Sequence, residues 1–130
     1  MDNWNVLRTK DDIDSLMGNF DGFHDSCITG IHYVTGMYVD EKKAMGNNNE
    51  KSSLVVTFQS QWSKPITINF IQIKELNINF NEKYFENIFG VDFYIKEDFI
   101  YFVVDGDFDE KNFNQEITYI ICKKVMYKQD

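Results

Sequence analysis

The sequence predicts a mainly β fold: a twisted antiparallel sheet or half-barrel of six to seven strands, with one short N-terminal helix. Three observations predict it. Beyond residue 27, apolar and polar residues alternate with period two in most segments. The connections between those segments are short, which favours antiparallel neighbours. Aromatic residues make up 16% of the chain, with twelve phenylalanines, and such rings fill a β core at low rotamer cost. At 130 residues the chain fits a single domain, 1–130, able to bury a core without staples.

The helix comes first. Thr9 can cap residues 10–17, and Asp12, three residues on, makes a shorter-armed capping box. Asp11 and Asp12 suit the positive helix end. Ile13, Leu16 and Met17 form one apolar face, and Gly18 is a natural stop. A helix this short must dock to persist.

From Cys27 to Val39 the pattern is a long strand. Ile31, Tyr33, Met37 and Val39 fall on one face, and Ile28, His32, Val34 and Tyr38 on the other. Gly30 and Gly36 predict a bulge or bend. Residues 40–52 are polar and read as a mobile loop. Leu54, Val56, Phe58 and Trp62 alternate with polar residues as a half-buried strand. Pro65, the single proline, marks a turn or the start of an edge strand.

Ile66, Ile68 and Phe70 give the next strand. A parity switch at Ile71-Gln72-Ile73 predicts a bulge or break before Leu76, Ile78 and Phe80. Residues 81–89 read as irregular, with Tyr84, Phe85, Ile88 and Phe89 spaced for one helical turn. Val91, Phe93 and Ile95 form a strand that turns at Lys96-Glu97-Asp98. Phe99 to Val104 is almost continuously apolar, as in a central strand. A last strand runs from about Glu116 to Tyr127, with Ile117, Tyr119, Ile121, Val125 and Tyr127 on one face.

The net charge of -8 disfavours nucleic acid and suits a basic protein partner. No apolar stretch is long enough to span a bilayer, and the start lacks the regions of a signal peptide. The expectation is a cytoplasmic protein with reduced thiols at Cys27 and Cys122. No cofactor motif is present.

Chemistry concentrates at Phe20–Ile28, which gathers two aromatics, a histidine, two aspartates, a serine and a cysteine. His24, Asp25 and Ser26 supply a base, a carboxylate and a nucleophile by type. On an extended chain, however, adjacent side chains point to opposite faces, so His24 and Asp25 are not expected to meet. The structural reading has His24 bonding a backbone carbonyl, Asp25 or Ser26 capping loop amides, and Phe20 and Phe23 anchoring the helix on the sheet.

A second group, Asp105, Asp107, Asp109 and Glu116, has the 1, 3, 5, 12 spacing of a calcium loop. It carries Glu110 where that loop needs glycine and has strands on its flanks, so it reads as an acidic hairpin loop. His24, His32, Cys27 and Cys122 have no metal-ligand spacing, and Cys122 reads as a small core residue. Among the aromatics, Trp4, Trp62, Phe58, Tyr33, Tyr38 and Tyr119 are either core pairs or, where exposed, a binding patch.

Phe23-His24-Asp25-Ser26, opening a long strand after a short N-terminal segment, resembles a group of small β-rich bacterial proteins. Some of that group look like immunity proteins of polymorphic toxin systems. The resemblance implies a binding role and assigns no catalytic residue. The expected function is therefore a non-enzymatic binding protein that neutralises a basic partner. His24, Asp25, Ser26, Asp105, Asp107 and Asp109 are its candidate binding residues. A small hydrolase or ligand pocket at His24 and Asp25 is the first alternative. A homodimer paired through an edge strand or aromatic face is the second.

Overall fold

The computed structural model describes residues 3–79, 87–106 and 117–130. Among the described residues there is one α-helix, α1, which spans Lys10–Asn19. The chain caps it reciprocally: Thr9 Oγ1 accepts from the Asp12 amide at 3.1 Å, while Asp12 Oδ2 accepts from the amides of Thr9 and Arg8 at 3.0 and 2.8 Å. The short aspartate arm thus does the work of the usual glutamate. The helix runs on through Gly18, whose surroundings are open, and ends at Phe20, whose amide still bonds Leu16 O. Ile13 and Leu16 carry its buried face.

The strands are β1 (Asn5–Leu7), β2 (Ser26–Val34), β3 (Met37–Val39), β4 (Met45–Asn47), β5 (Ser53–Ser60), β6 (Ile66–Asn77), β7 (Val91–Lys96), β8 (Phe99–Val104) and β9 (Thr118–Gln129). Seven of them form one antiparallel sheet in the order β2-β5-β6-β9-β8-β7, with β1 also paired to β9. This is the mainly β, helix-bearing sheet that the alternation predicts. β3 and β4 make a separate two-stranded hairpin. The sheet is open. Its two ends nevertheless touch at one place, because Ile88, just before β7, bridges Ser26 at the start of β2.

The main core lies on one face, where α1 packs through Ile13, Leu16 and the following Phe20 and Phe23. Phe102 sits at its centre, with its ring 5.0–5.8 Å from those of Phe23, Phe58, Phe70 and Phe93. Each such ring contributes roughly 1.5–3 kcal/mol by burial, and edge-to-face pairing adds about 0.5–1.5 kcal/mol per pair. On the opposite face Tyr101, Val103, Tyr119 and Ile121 form a second buried cluster. β8 is therefore covered on both faces, which accounts for its unbroken apolar run.

Several expectations need correction. Residues 40–52 hold β4, a 3-10 turn at Asn49–Lys51 and a built turn in which Asp40 Oδ1 accepts from the amides of Lys42 and Ala44. Polarity there reflects turn chemistry. Ile28 joins Ile31 on the core face, because a bulge between Ile28 and Gly30 absorbs one residue. A Cβ at Gly30 would lie 2.8 Å from Thr57 Oγ1, so a side chain there would force that hydroxyl to shift.

β9 changes face partway: Tyr119 and Ile121 serve the second cluster, whereas Val125 and Tyr127 turn to the main core with Cys122. β6 changes with it. Phe70 faces Val125 and Ile73 faces Cys122, three residues on along each strand, and Gln72 takes the left-handed φ of 60° that allows the switch. The β6 parity switch was legible in sequence; its match in β9 was not. Trp62 lies past the end of β5 and is exposed. Among the described residues no helix is long and apolar enough to cross a membrane.

Candidate functional site

The corner between α1 and β2 is a single left-handed turn. Asp21, Gly22 and Phe23 have φ of 52°, 61° and 67°, closed by bonds from the Phe23 amide to Phe20 O and the His24 amide to Asp21 O. Glycine adopts such angles freely, and aspartate tolerates them, but a phenylalanine there costs about 1–2 kcal/mol. Packing offsets that cost. The fully buried Phe23 ring meets Phe20, Phe58 and Phe102 edge-on at 4.9, 5.0 and 5.4 Å.

Asp25 is also left-handed, with a φ of 58°. The chain at His24 and Asp25 is thus not extended, and the two side chains do meet: His24 Nε2 lies 3.4 Å from Asp25 Oδ2. The expectation of opposed faces fails for this backbone reason. His24 Nδ1 donates to the Phe89 carbonyl at 3.0 Å. With an acceptor at each ring nitrogen, the imidazolium is favoured. The Phe89 carbonyl first, then the Asp25 carboxylate and more weakly Asp21, hold the His24 pKa above its ordinary 6.5 against a small desolvation effect.

Two exposed rings flank this pair in the bonding network. The Trp62 indole N–H donates to Asp25 Oδ2 at 3.1 Å, although the residue is 71% exposed. Ser60 Oγ accepts from the amides of Trp62 and Ser63, shaping the turn that presents the ring. Phe89 is 67% exposed, and its backbone is held from both sides. Its carbonyl takes His24, while the amides of Phe89 and Gly90 donate to Asp105 Oδ1, both at 2.8 Å. Asp25 N donates to Ile88 O, and Ile88 N to Ser26 O.

Of the sequence candidates, His24 and Asp25 are in direct contact, and Asp105 joins them through the backbone of Phe89. Ser26 is buried, and its hydroxyl donates to Phe23 O at 2.6 Å, which removes it from reach as a nucleophile. Asp107, Asp109 and Glu116 lie outside the described residues. Sequence reasoning missed Trp62 and Phe89 as parts of this corner. The signal for Trp62 was a large ring set among Ser60, Gln61, Ser63 and Lys64-Pro65, a turn composition in which a ring stays in solvent.

The geometry offers a base and a carboxylate, but among the described residues no hydroxyl or thiol bonds to His24. No group of three or more metal-ligating side chains gathers among the described residues. Cys122 is a core residue whose thiol is pushed up to about 12 by burial, and Cys27 is exposed on β2. Compared with protein-family models, curated proteins and solved structures, the chain gives no match.

Proposed function

We propose that the chain is a non-enzymatic binding protein of the immunity type that takes a basic protein partner at the His24–Asp25 corner. One observation carries the reading: Trp62 is solvent-exposed yet oriented by a hydrogen bond to Asp25. An exposed indole fixed beside a carboxylate suits a lysine or arginine side chain, through the ring face and the charge together. The surrounding charge agrees, because Asp11 to Asp25 contains five aspartates and no lysine or arginine. Net charge -8 would speed encounter with a cationic partner. The resemblance of the Phe23-His24-Asp25-Ser26 segment to immunity-like proteins points the same way. A hydrolase is less well supported, since the Ser26 hydroxyl is committed to Phe23 O.

Calorimetric titration of the chain with the cationic proteins encoded next to its gene tests this. A complex is expected whose affinity falls at least about tenfold between low and high salt, and falls similarly in Trp62→Ala. Failure to bind any of them, or binding indifferent to both changes, overturns the proposal.

A further inference from the structure

Two donors at the corner converge on one atom. Asp25 Oδ2 accepts from the Trp62 indole at 3.1 Å and lies 3.4 Å from His24 Nε2. Oδ1 of the same carboxylate bonds nothing among the described residues. The other imidazole nitrogen is committed, because Nδ1 faces the Phe89 carbonyl, an atom that can only accept. A neutral His24 therefore keeps its hydrogen on Nδ1. The proton it can give up is the one on Nε2, toward Asp25.

The two charge states of His24 leave different corners. With Nε2 protonated, imidazolium and carboxylate cancel, and a second cation entering beside Trp62 meets a like charge. With Nε2 bare, its lone pair faces the Asp25 carboxylate, and two acceptors stand 3.4 Å apart with no hydrogen between them. A donor with two N–H groups and a positive charge matches that gap. A guanidinium has both in a planar fork, and it stacks on indole rings such as the exposed Trp62 next to the gap. Among the described residues the charges around His24 supply no such donor. Asp21, on the turn between α1 and β2, is acidic, and Asp105, at the end of β8, is taken by the Phe89 and Gly90 amides. Lys64, on the turn that carries Trp62, makes no ion pair with any of them.

We infer that the corner takes an arginine side chain of its partner in exchange for the Nε2 proton of His24. This rests on the corner being the place where a basic partner binds, and adds which side chain enters and what leaves. The guanidinium brings its own charge in, the Nε2 proton goes to solvent, and Nδ1–H stays on Phe89 O. In the free chain the Phe89 carbonyl and then the Asp25 carboxylate hold the His24 pKa above its ordinary value. A guanidinium on that carboxylate cancels the Asp25 part, so the pKa is lower in the complex than in the free chain. Affinity is therefore weakest below the lowered value, rises with pH between the two, and is constant above the free chain's value. The partner is held at neutral to alkaline pH and loosened on acidification.

NMR titration of the full chain with N-acetyl-arginine amide, whose one charge is a guanidinium that stays protonated throughout, tests this. Sodium chloride holds the ionic strength constant. The Trp62 indole N–H reports binding, and the His24 ring resonances report its titration. Binding should tighten about three- to tenfold between about pH 5.5 and 8.5, and the His24 midpoint should move to lower pH with the probe present. N-acetyl-lysine amide, which has no fork, should bind more weakly at the alkaline end. Asp25→Asn should abolish binding, and His24→Gln should abolish its pH dependence. A probe that shifts Trp62 but leaves the His24 midpoint in place, or that binds more tightly in acid, overturns the exchange while the corner remains a cation site. Equal binding of the lysine probe, or binding retained in Asp25→Asn, also overturns it. A probe that shifts neither residue at any pH overturns the exchange and the cation site together.

Discussion

His24 Nδ1 donates to the carbonyl of Phe89, 65 residues along the chain, at 3.0 Å. That bond ties the segment before β2 to the segment before β7, the two ends of the open sheet. It works beside the Ser26–Ile88 bridge as a staple where the sheet curls back on itself.

The staple depends on pH, and its sign is fixed by the raised His24 pKa. Below about pH 6.5 the imidazole is protonated in both folded and unfolded chains, and the stabilisation is fully present. As the pH climbs past 6.5 and through the higher folded value, the folded state sheds its extra proton affinity and the stabilisation is lost. His24→Gln should therefore melt with a flatter profile than wild type between pH 6 and 8. Asp25→Asn, which suits the left-handed φ at that position, should lower the His24 pKa in an NMR titration.

Asp105 is the second fastener, since its carboxylate takes two amides of the Phe89–Gly90 segment. Asp105→Ala leaves both donors without their acceptor and should cost about 1–3 kcal/mol in urea unfolding. Asp105→Asn keeps an acceptor oxygen and tolerates the φ of 51°, so it should cost less. Equal losses for the two variants would mean the amides find other partners.

Much of this architecture was readable in the residues. Alternation located β5 to β9 but read β2 and β3 as one strand and left β1 unseen; Thr9 and Asp12 located the cap, and the apolar run 99–104 marked a strand that lies inside the sheet, between β7 and β9. What was not readable came from backbone choices that no pattern reports. Phe23 and Asp25 adopt glycine-like angles because tertiary packing and long-range bonds hold them there, and that alone turns His24 onto Asp25. The bond between Trp62 and Asp25 spans 37 residues, and nothing local to either residue signals it. β4 was hidden by its brevity and its asparagine content, which read as loop.

Phe23 joins strain to packing, and its variants separate the two. Phe23→Ala removes a fully buried ring from the centre of the phenylalanine cluster and should cost about 3–5 kcal/mol, measured by chemical denaturation. Phe23→Gly removes the same ring but relieves the left-handed backbone, so it should be less damaging than alanine by up to about 1 kcal/mol, the reverse of the usual order. An alanine variant more stable than the glycine one would show that the turn is not strained.

Gly36 controls the hairpin without touching the core. Its φ is 86°, and a Cβ there would lie 2.3 Å from Asn48 O, a backbone atom that cannot move aside cheaply. Gly36→Ala should therefore break the bond from Asn48 N to Gly36 O and release β3 from its ordered place, at a cost of roughly 1–3 kcal/mol. The loss should stay local, because the main core draws none of its buried residues from β3 or β4. Hydrogen exchange reads this directly. Amides of Met37–Val39 and Met45–Asn47 should speed up, while those of β6 and β9 keep their protection. Uniform acceleration across the sheet would instead make the hairpin part of the cooperative core.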